Sequence, residues 1–539
     1  MAAHELEQDH RALTGKLLAL GETVDVPRSE HLSFGSMPNS NFDCPTADVA
    51  PQSQISSAWL YGIWAAFTAG LLVYSQTFAF TADEGFHLLA AQLIKGGMRP
   101  YLDFCFPQTP LNAYWNAFWM RVLGEGWRPV HAVAALETAA AVILASQFVL
   151  SHLPERAWRV AGAIAATVMI GCSMNVTDFG TLGQAYGICL FTTVAAFRLS
   201  VVAVAAPGIW QAAAAGTLAG AGAASSLLAA PVAPVLLLWI WWNNRTRNRW
   251  IKALAYAAGA AIPFLPVLWL FVQSPRVVWF NIAQYHLHYR AVYWPHQLGH
   301  DLNSLTGWLD DAQSLLLGML ALFGVVYIRT RSAWTSRHRA EFRLCVWLVL
   351  GLTVELACAH PTFSRYFCLL VPFLGILAVP GLYALGSRVL DPGRPFWPVL
   401  IVSLLTVGSL ARDICLYLSS DTWPKYEVIA RKLLAVTPPG KEMFTEESLY
   451  FLTRHKPPRG LEFQYSHKLQ LPTAQRAALH IVTEDEIKQQ IASGTFWSAA
   501  TCDDDFVDDY GLDESFQHKE QVRECPVYWG GRPPHTPSQ

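Results

Sequence analysis

Apolar runs about twenty residues long recur along this chain from about residue 58 to about residue 416, and nothing else in the sequence restricts the fold as strongly. A run of that length is what a helix needs to cross hydrocarbon. Eleven candidate spans follow: 58–80, 130–151, 158–175, 183–205, 210–228, 230–243, 252–273, 313–330, 343–359, 366–388 and 397–416. With 53% hydrophobic and 14% charged residues, the composition excludes an ordinary water-soluble globule. The expectation is an all-α polytopic membrane protein of about eleven transmembrane helices. The first 57 residues are polar and lack a signal-peptide pattern, so the chain is expected to insert through its own first helix.

Orientation follows from where the short loops keep their Lys and Arg. One set of connections carries fourteen basic residues, from Arg156 and Arg159 through Arg245, Arg247 and Arg249 to Arg388 and Arg394. The opposite set holds seven, spread over longer loops: Lys95, Arg99, Arg121, Arg128, Arg276, Arg290 and Arg365. The reading is a cytoplasmic segment 1–57, a membrane core 58–416 with its first outer loop at 81–129, and an extracytoplasmic domain 417–539. That tail mixes a helical stretch, "WPKYEVIARKLLAV", with loop-rich segments and reads as a small α/β domain. Cys502 and Cys525 both lie in it, on the side expected to be oxidising, where the paired and the free state are both open to them.

The first outer loop begins "TADEGFHLLAAQLIKGG". Glu84, His87 and Lys95 fall on one helical face and Phe86, Leu89 and Leu93 on the other, which predicts a helix resting in the membrane interface. A second helix starts at "TPLNAYWNAFWMRVLG", with Thr109 as N-cap, Pro110 at the first helical position and Gly124 as the stop. The adjacent acids Asp83 and Glu84 have a purely local reading: Thr81 to Glu84 fits a capping box, and Asp83 opposes the positive end of the helix dipole. The alternative is a site. Asp178, Glu137 and Glu355 are acids at a similar depth, and an ionisable group inside a span is a functional candidate by default. Arg365 and His360 in "AHPTFSRYF", and Arg290, His286 and His288 in "YHLHYR", are cations on the same face.

Local readings exist for these too. Glu137 and Glu355 could pair with each other or with an arginine, Asp178 could cap a helix, and Arg365 could snorkel. Two histidines at alternate positions lack a third ligand in view, so no metal is expected there. The run "CDDDFVDDYGLDES" misses the EF-hand offsets. Together, carboxylates and cations at one membrane boundary suit a lipid-linked anionic substrate, with Arg365 on its phosphate and Asp83 as general base for an incoming hydroxyl.

"ADEGFHLLAAQLIKGGMRPYLDFCFPQTPL" together with "HPTFSRYFCLLVPFLGILA" resembles bacterial GT-C glycosyltransferases, in the branch of the protein mannosyltransferases and aminoarabinose lipid A transferases. The matching positions are Asp83, Glu84, Gly97, Pro100, Tyr101, Asp103, Pro110, Leu111, Arg365, Tyr366 and Pro372. The likeness spans about residues 58 to 470. It implies an inverting transferase of the inner (plasma) membrane that moves a sugar from a polyprenyl-phosphate donor to a protein, lipid or glycan hydroxyl. Asp83 would be the base, Glu84 its support, and Arg365, with Arg290, would stabilise the departing phosphate. His87, Asp103, Asp178 and His360 are further candidates for substrate contact. No cofactor and no nucleic acid partner are implied, and metal dependence is open. Ser225 and Ser226 stand where many relatives have a basic residue. The rival reading is a flippase that uses the same spans and cleft without chemistry, although no internal repeat is visible and the charges avoid the midplane. A ligand sensor would leave the intramembrane acids idle.

Overall fold

The computed structural model describes residues 57–77, 83–244, 248–289, 297–331, 334–389, 394–416 and 422–531. The described residues of the eleven apolar runs are mostly helical, since an apolar stretch satisfies its backbone most simply that way. Among the described residues, seven helical stretches are long and apolar enough to cross a membrane: Ala58–Thr77, Trp127–His152, Tyr186–Ala205, Arg249–Gln273, Ala312–Thr330, Val371–Val389 and Phe396–Leu416. The remaining runs lie on Arg156–Gly171, Trp210–Ser225 and Val232–Asn243, which are shorter, and on Ser336–Cys358, whose first half carries Arg337, Arg339 and Arg343.

The bundle interior is closed by small residues that let backbones meet. Helices 210–225 and 249–261 cross where a side chain on Gly216 would run into the Tyr256 carbonyl, one on Gly220 into that of Ala260, and one on Gly259 into that of Ala213. Gly216 and Gly220 form a G-x-x-x-G pair, the spacing that puts two small residues on one helix face. Helices 312–330 and 371–389 meet in the same way through Gly324 and Gly381.

A second hydrophobic core lies outside this bundle. It joins Phe86, Leu88, Leu89, Phe104 and Trp127 of the first loop region to Trp423, Tyr450, Phe463 and Tyr528 near the C-terminal end. The C-terminal part carries a four-stranded sheet of order β1-β2-β4-β3, with β1 Glu442–Thr445, β2 Phe496–Ala500, β3 Phe516–Val522 and β4 Cys525–Gly531. β1 runs parallel to β2, and β4 runs antiparallel to both β2 and β3. Helix Trp423–Val436 packs against this sheet. Cys502 and Cys525 are joined by a disulfide. The small α/β character expected from the sequence is therefore present.

The first loop departs from expectation in one respect. Helix Glu84–Lys95 is enclosed by protein rather than presenting one face outward: Glu84, Phe86, His87 and every residue from Leu88 to Ile94 except Gln92 are buried. Helix Glu447–Thr453 packs on it, and Gly85 leaves no room for any side chain beside Ser448. Of its polar face, Glu84 and His87 are covered by protein, and Lys95 is half-buried against Glu125. Helix Leu111–Leu123 begins one residue later than expected, with Pro110 as N-cap, and ends as expected before Gly124, whose φ of 106° few other residues would adopt.

Candidate functional site

A cavity of about 680 Å³ opens where one end of the bundle meets the first loop and the C-terminal part. Its wall takes Asp83 and His87 from the first loop, Tyr186 and Ser226 from the bundle, and Phe463 and Tyr465 from the C-terminal part. His286 comes from the π-helical stretch Phe280–Tyr289, a conformation often found at functional sites. Glu355, His360, Arg365 and Tyr366 complete the polar side, while Leu227, Leu228, Ile282, Leu287 and Phe363 supply apolar wall.

Asp83 and Arg365 are ion-paired through Oδ2 and Nη2. Tyr465 donates its hydroxyl to the other oxygen, Oδ1, at 3.0 Å. The Arg365 guanidinium also lies over the Phe363 ring, 4.5 Å from its centroid. Burial pulls the Arg365 pKa down, but the neighbouring Tyr186 and the Asp83 charge outweigh it, so the net shift is upward and the cation is secure. Among the described residues it is the one Lys or Arg side chain lining the cavity. Tyr465 is pushed above the usual phenol range, first by burial and then by Asp83, which keeps its hydroxyl a donor. His87 is lowered to about 4 by burial, against the upward pull of Asp83, and is a neutral ring at the cavity wall.

Glu84, one residue from Asp83, has a different position. Its side chain is fully buried and does not line the cavity. Oε1 lies 2.6 Å from His131 Nε2 and accepts from the Gly183 N–H at 2.6 Å, while Oε2 accepts from Trp423 Nε1 at 2.9 Å. The Gly183 carbonyl accepts from Asn112 and Asn116 at 2.9 and 2.6 Å. A side chain on Gly183 would press on Leu88, Glu84 and Val130. One carboxylate thus ties together the first loop, the span 127–152, the turn before Tyr186 and the C-terminal part. Both Glu84 oxygens are thus engaged by distant partners, and Thr81, the other half of the expected capping box, lies outside the described residues.

The other candidates divide. His360 lines the cavity and is held by Asp301, which also accepts from the Thr362 N–H at 2.5 Å. Asp178 is absent from the cavity wall; Tyr74 donates to it at 3.2 Å, and burial, aided by Glu84, raises it to about 6. Asp103 is a turn residue, bound by its side chain to Arg99 at 2.8 Å and drawn below the usual carboxylate range chiefly by that bond. Arg290 lies outside the described residues. Glu137 accepts from Trp115 Nε1 at 2.7 Å, a local tie between a span and helix 111–123. Sequence reasoning missed Tyr465, Trp423, His131 and Gly183. The only signal near Tyr465 was the resemblance reaching residue 470.

Among the described residues one group could hold a metal ion: His152, His338 and Glu341. None of the three lines the cavity. Glu341 is already shared between His152 Nε2 at 2.7 Å, a tie between two helices, and Arg337 at 2.9 Å, an ion pair within its own helix.

This bundle, with a polar cavity covered by its first loop and its C-terminal segment, shares its fold with solved structures of ArnT. The solved structures it resembles include two of ArnT from Cupriavidus metallidurans. For the one bound to undecaprenyl phosphate the TM-score is 0.61 at 12% identity, covering 88% of this chain and 98% of that one. For the apo structure the TM-score is 0.60 at 13% identity, with the same coverage. No protein-family model and no curated protein matches the sequence.

Proposed function

We propose that this protein is an inverting membrane glycosyltransferase that moves a sugar from a polyprenyl-phosphate donor to a hydroxyl acceptor on the extracytoplasmic face of the plasma membrane. The observation that carries the reading is the Asp83–Arg365 pair at the wall of the 680 Å³ cavity. A carboxylate and a half-buried cation side by side are what an in-line displacement requires, one for the proton of the incoming hydroxyl and one for the charge of the leaving phosphate. The apolar part of the wall suits a prenyl chain. The shared fold with a protein solved with undecaprenyl phosphate supports the donor class. The bias of basic residues to the opposite loops supports the orientation, with the N-terminus cytoplasmic.

The donor phosphate draws Arg365 toward itself and away from Asp83. Asp83 then takes the proton of the acceptor hydroxyl as the acceptor oxygen bonds to the anomeric carbon from the face opposite the phosphate. Arg365 stabilises the second negative charge that the phosphate gains as its bond to the sugar breaks. Glu84 acts at a distance by holding the start of the helix that carries Asp83.

The test incubates the purified full-length protein with a mixture of polyprenyl-phosphate sugars and an acceptor-containing membrane extract, and follows polyprenyl phosphate by mass spectrometry. Release by the wild type and a loss of about 10²- to 10⁴-fold in Asp83→Asn are expected, the range for removal of a general base. A protein that moves the lipid between leaflets and leaves it intact is a flippase, and the proposal fails.

A further inference from the structure

Asp83 is met by a residue from the far end of the chain, and the contact is built rather than casual. Tyr465 sits in the short turn Gln464–Ser466. The Gln464 N–H donates to Glu447 Oε1 at 2.6 Å, and the Ser466 hydroxyl donates to the Phe463 carbonyl at 2.7 Å. Phe463 meets Phe86 edge-on at 5.2 Å, three residues beyond Asp83. Glu447 is buried at the start of helix 447–453, whose Ser448 presses against Gly85. The turn and the helix that bears Asp83 are therefore locked to each other on either side of the Tyr465–Asp83 bond.

A carboxylate without partners turns freely about its Cβ–Cγ bond, and each hydrogen bond to one of its oxygens restricts that turning. With Oδ1 on Tyr465 and Oδ2 on Arg365, the plane of Asp83 is fixed. An anionic phosphate competes for Arg365, whereas the Tyr465 hydroxyl is held on Asp83 by the turn that carries it. Once the donor binds, Tyr465 is the partner that stays.

We infer that Tyr465 is a positioning residue for the transfer, keeping Oδ1 occupied so that Oδ2, vacated by Arg365, is the oxygen that accepts the acceptor's proton. This rests on the transferase reading above. In the step, the bond from the acceptor oxygen to the anomeric carbon forms while the bond from that carbon to the phosphate oxygen breaks. The electron pair leaves with the phosphate, and the hydroxyl proton passes to Asp83 Oδ2. No further reactant enters.

The experiment measures polyprenyl phosphate release by the full-length wild type, Tyr465→Phe and Tyr465→His over a range of donor concentrations and pH. Loss of one hydrogen bond to a charged group predicts that kcat falls about 10- to 100-fold in Tyr465→Phe, with the donor KM little changed. The acidic limb of the kcat profile moves to higher pH, because a bond to the ionised carboxylate is gone. Tyr465→His, which can restore a donor, recovers part of the rate. A Phe variant with wild-type kcat and pH profile overturns the inference while the transferase reading stands. So does a Phe variant that is slower only in proportion to a lowered unfolding temperature and has an unshifted profile. A wild type that releases no polyprenyl phosphate from any donor overturns both.

Discussion

The two hydrophobic cores of this molecule are made in opposite ways. In the bundle, Gly216, Gly220, Gly259, Gly324 and Gly381 bring helix backbones together at close crossings. In the core outside it, Phe86, Trp127, Trp423, Tyr450 and Phe463 pack around buried carboxylates, Glu84, Glu447 and Glu462. The difference teaches what each medium rewards. Lipid tails are as apolar as leucine, so helices gain by fitting closely; water rewards burial of large rings, and buried acids then specify which segments meet. The cavity lies between the two, with Arg365 from one side and Tyr465 from the other.

The comparison breaks most sharply at Glu84. Glu84→Ala removes an acid that serves His131, Gly183 and Trp423 at once, and a cost of about 3–5 kcal/mol is expected, read as a lower unfolding temperature of the purified protein. An unchanged midpoint would mean that the acids do not specify the outer core. Gly324→Val tests the other core. Its side chain would meet the Leu377 carbonyl, and overpacking of this kind costs about 1–3 kcal/mol, expected as a lower unfolding temperature with the outer core's pH response intact.

That pH response is the third and subtlest contrast. Burial raises Glu447 and Glu462 from 4.5 to about 7. A carboxyl whose folded pKa lies above its unfolded one binds more protons when folded, so its contribution is complete below about 4.5 and is lost as pH rises toward 7. The protein is expected to unfold at higher temperature at pH 5 than at pH 8, by roughly 1–2 kcal/mol for each acid, and Glu447→Gln should flatten the dependence. A wild type equally stable at both values would remove these acids from the account.

These two constructions also decide what could be read from the sequence. Spans announce themselves through local composition, so the described residues of the eleven apolar runs are mostly helical, and the small C-terminal sheet was legible in its turn-rich pattern. Asp83 stood out because an acid at the end of an apolar run is conspicuous. Glu84 has two readings in the sequence, a capping box and a support for Asp83 in the site, and neither names its partners, His131, Gly183 and Trp423, which lie 47, 99 and 339 residues away. Helix 84–95 looked amphipathic because Glu84 and His87 are polar, yet both are covered by protein. No periodicity predicts that a tyrosine in "GLEFQYSH" will reach back 382 residues. Residues that bond across such distances carry no local signature.

That distance has a consequence for biosynthesis. Asp83 leaves the ribosome 382 residues before Tyr465, which at roughly 5–20 residues per second is an interval of about 20 to 80 s. Throughout it the acid is without the turn that orients it, and Glu84 is without Trp423. A nascent or prematurely terminated chain can therefore hold most of its membrane bundle and still lack a finished site, so the last stretch of translation acts as the licence for activity.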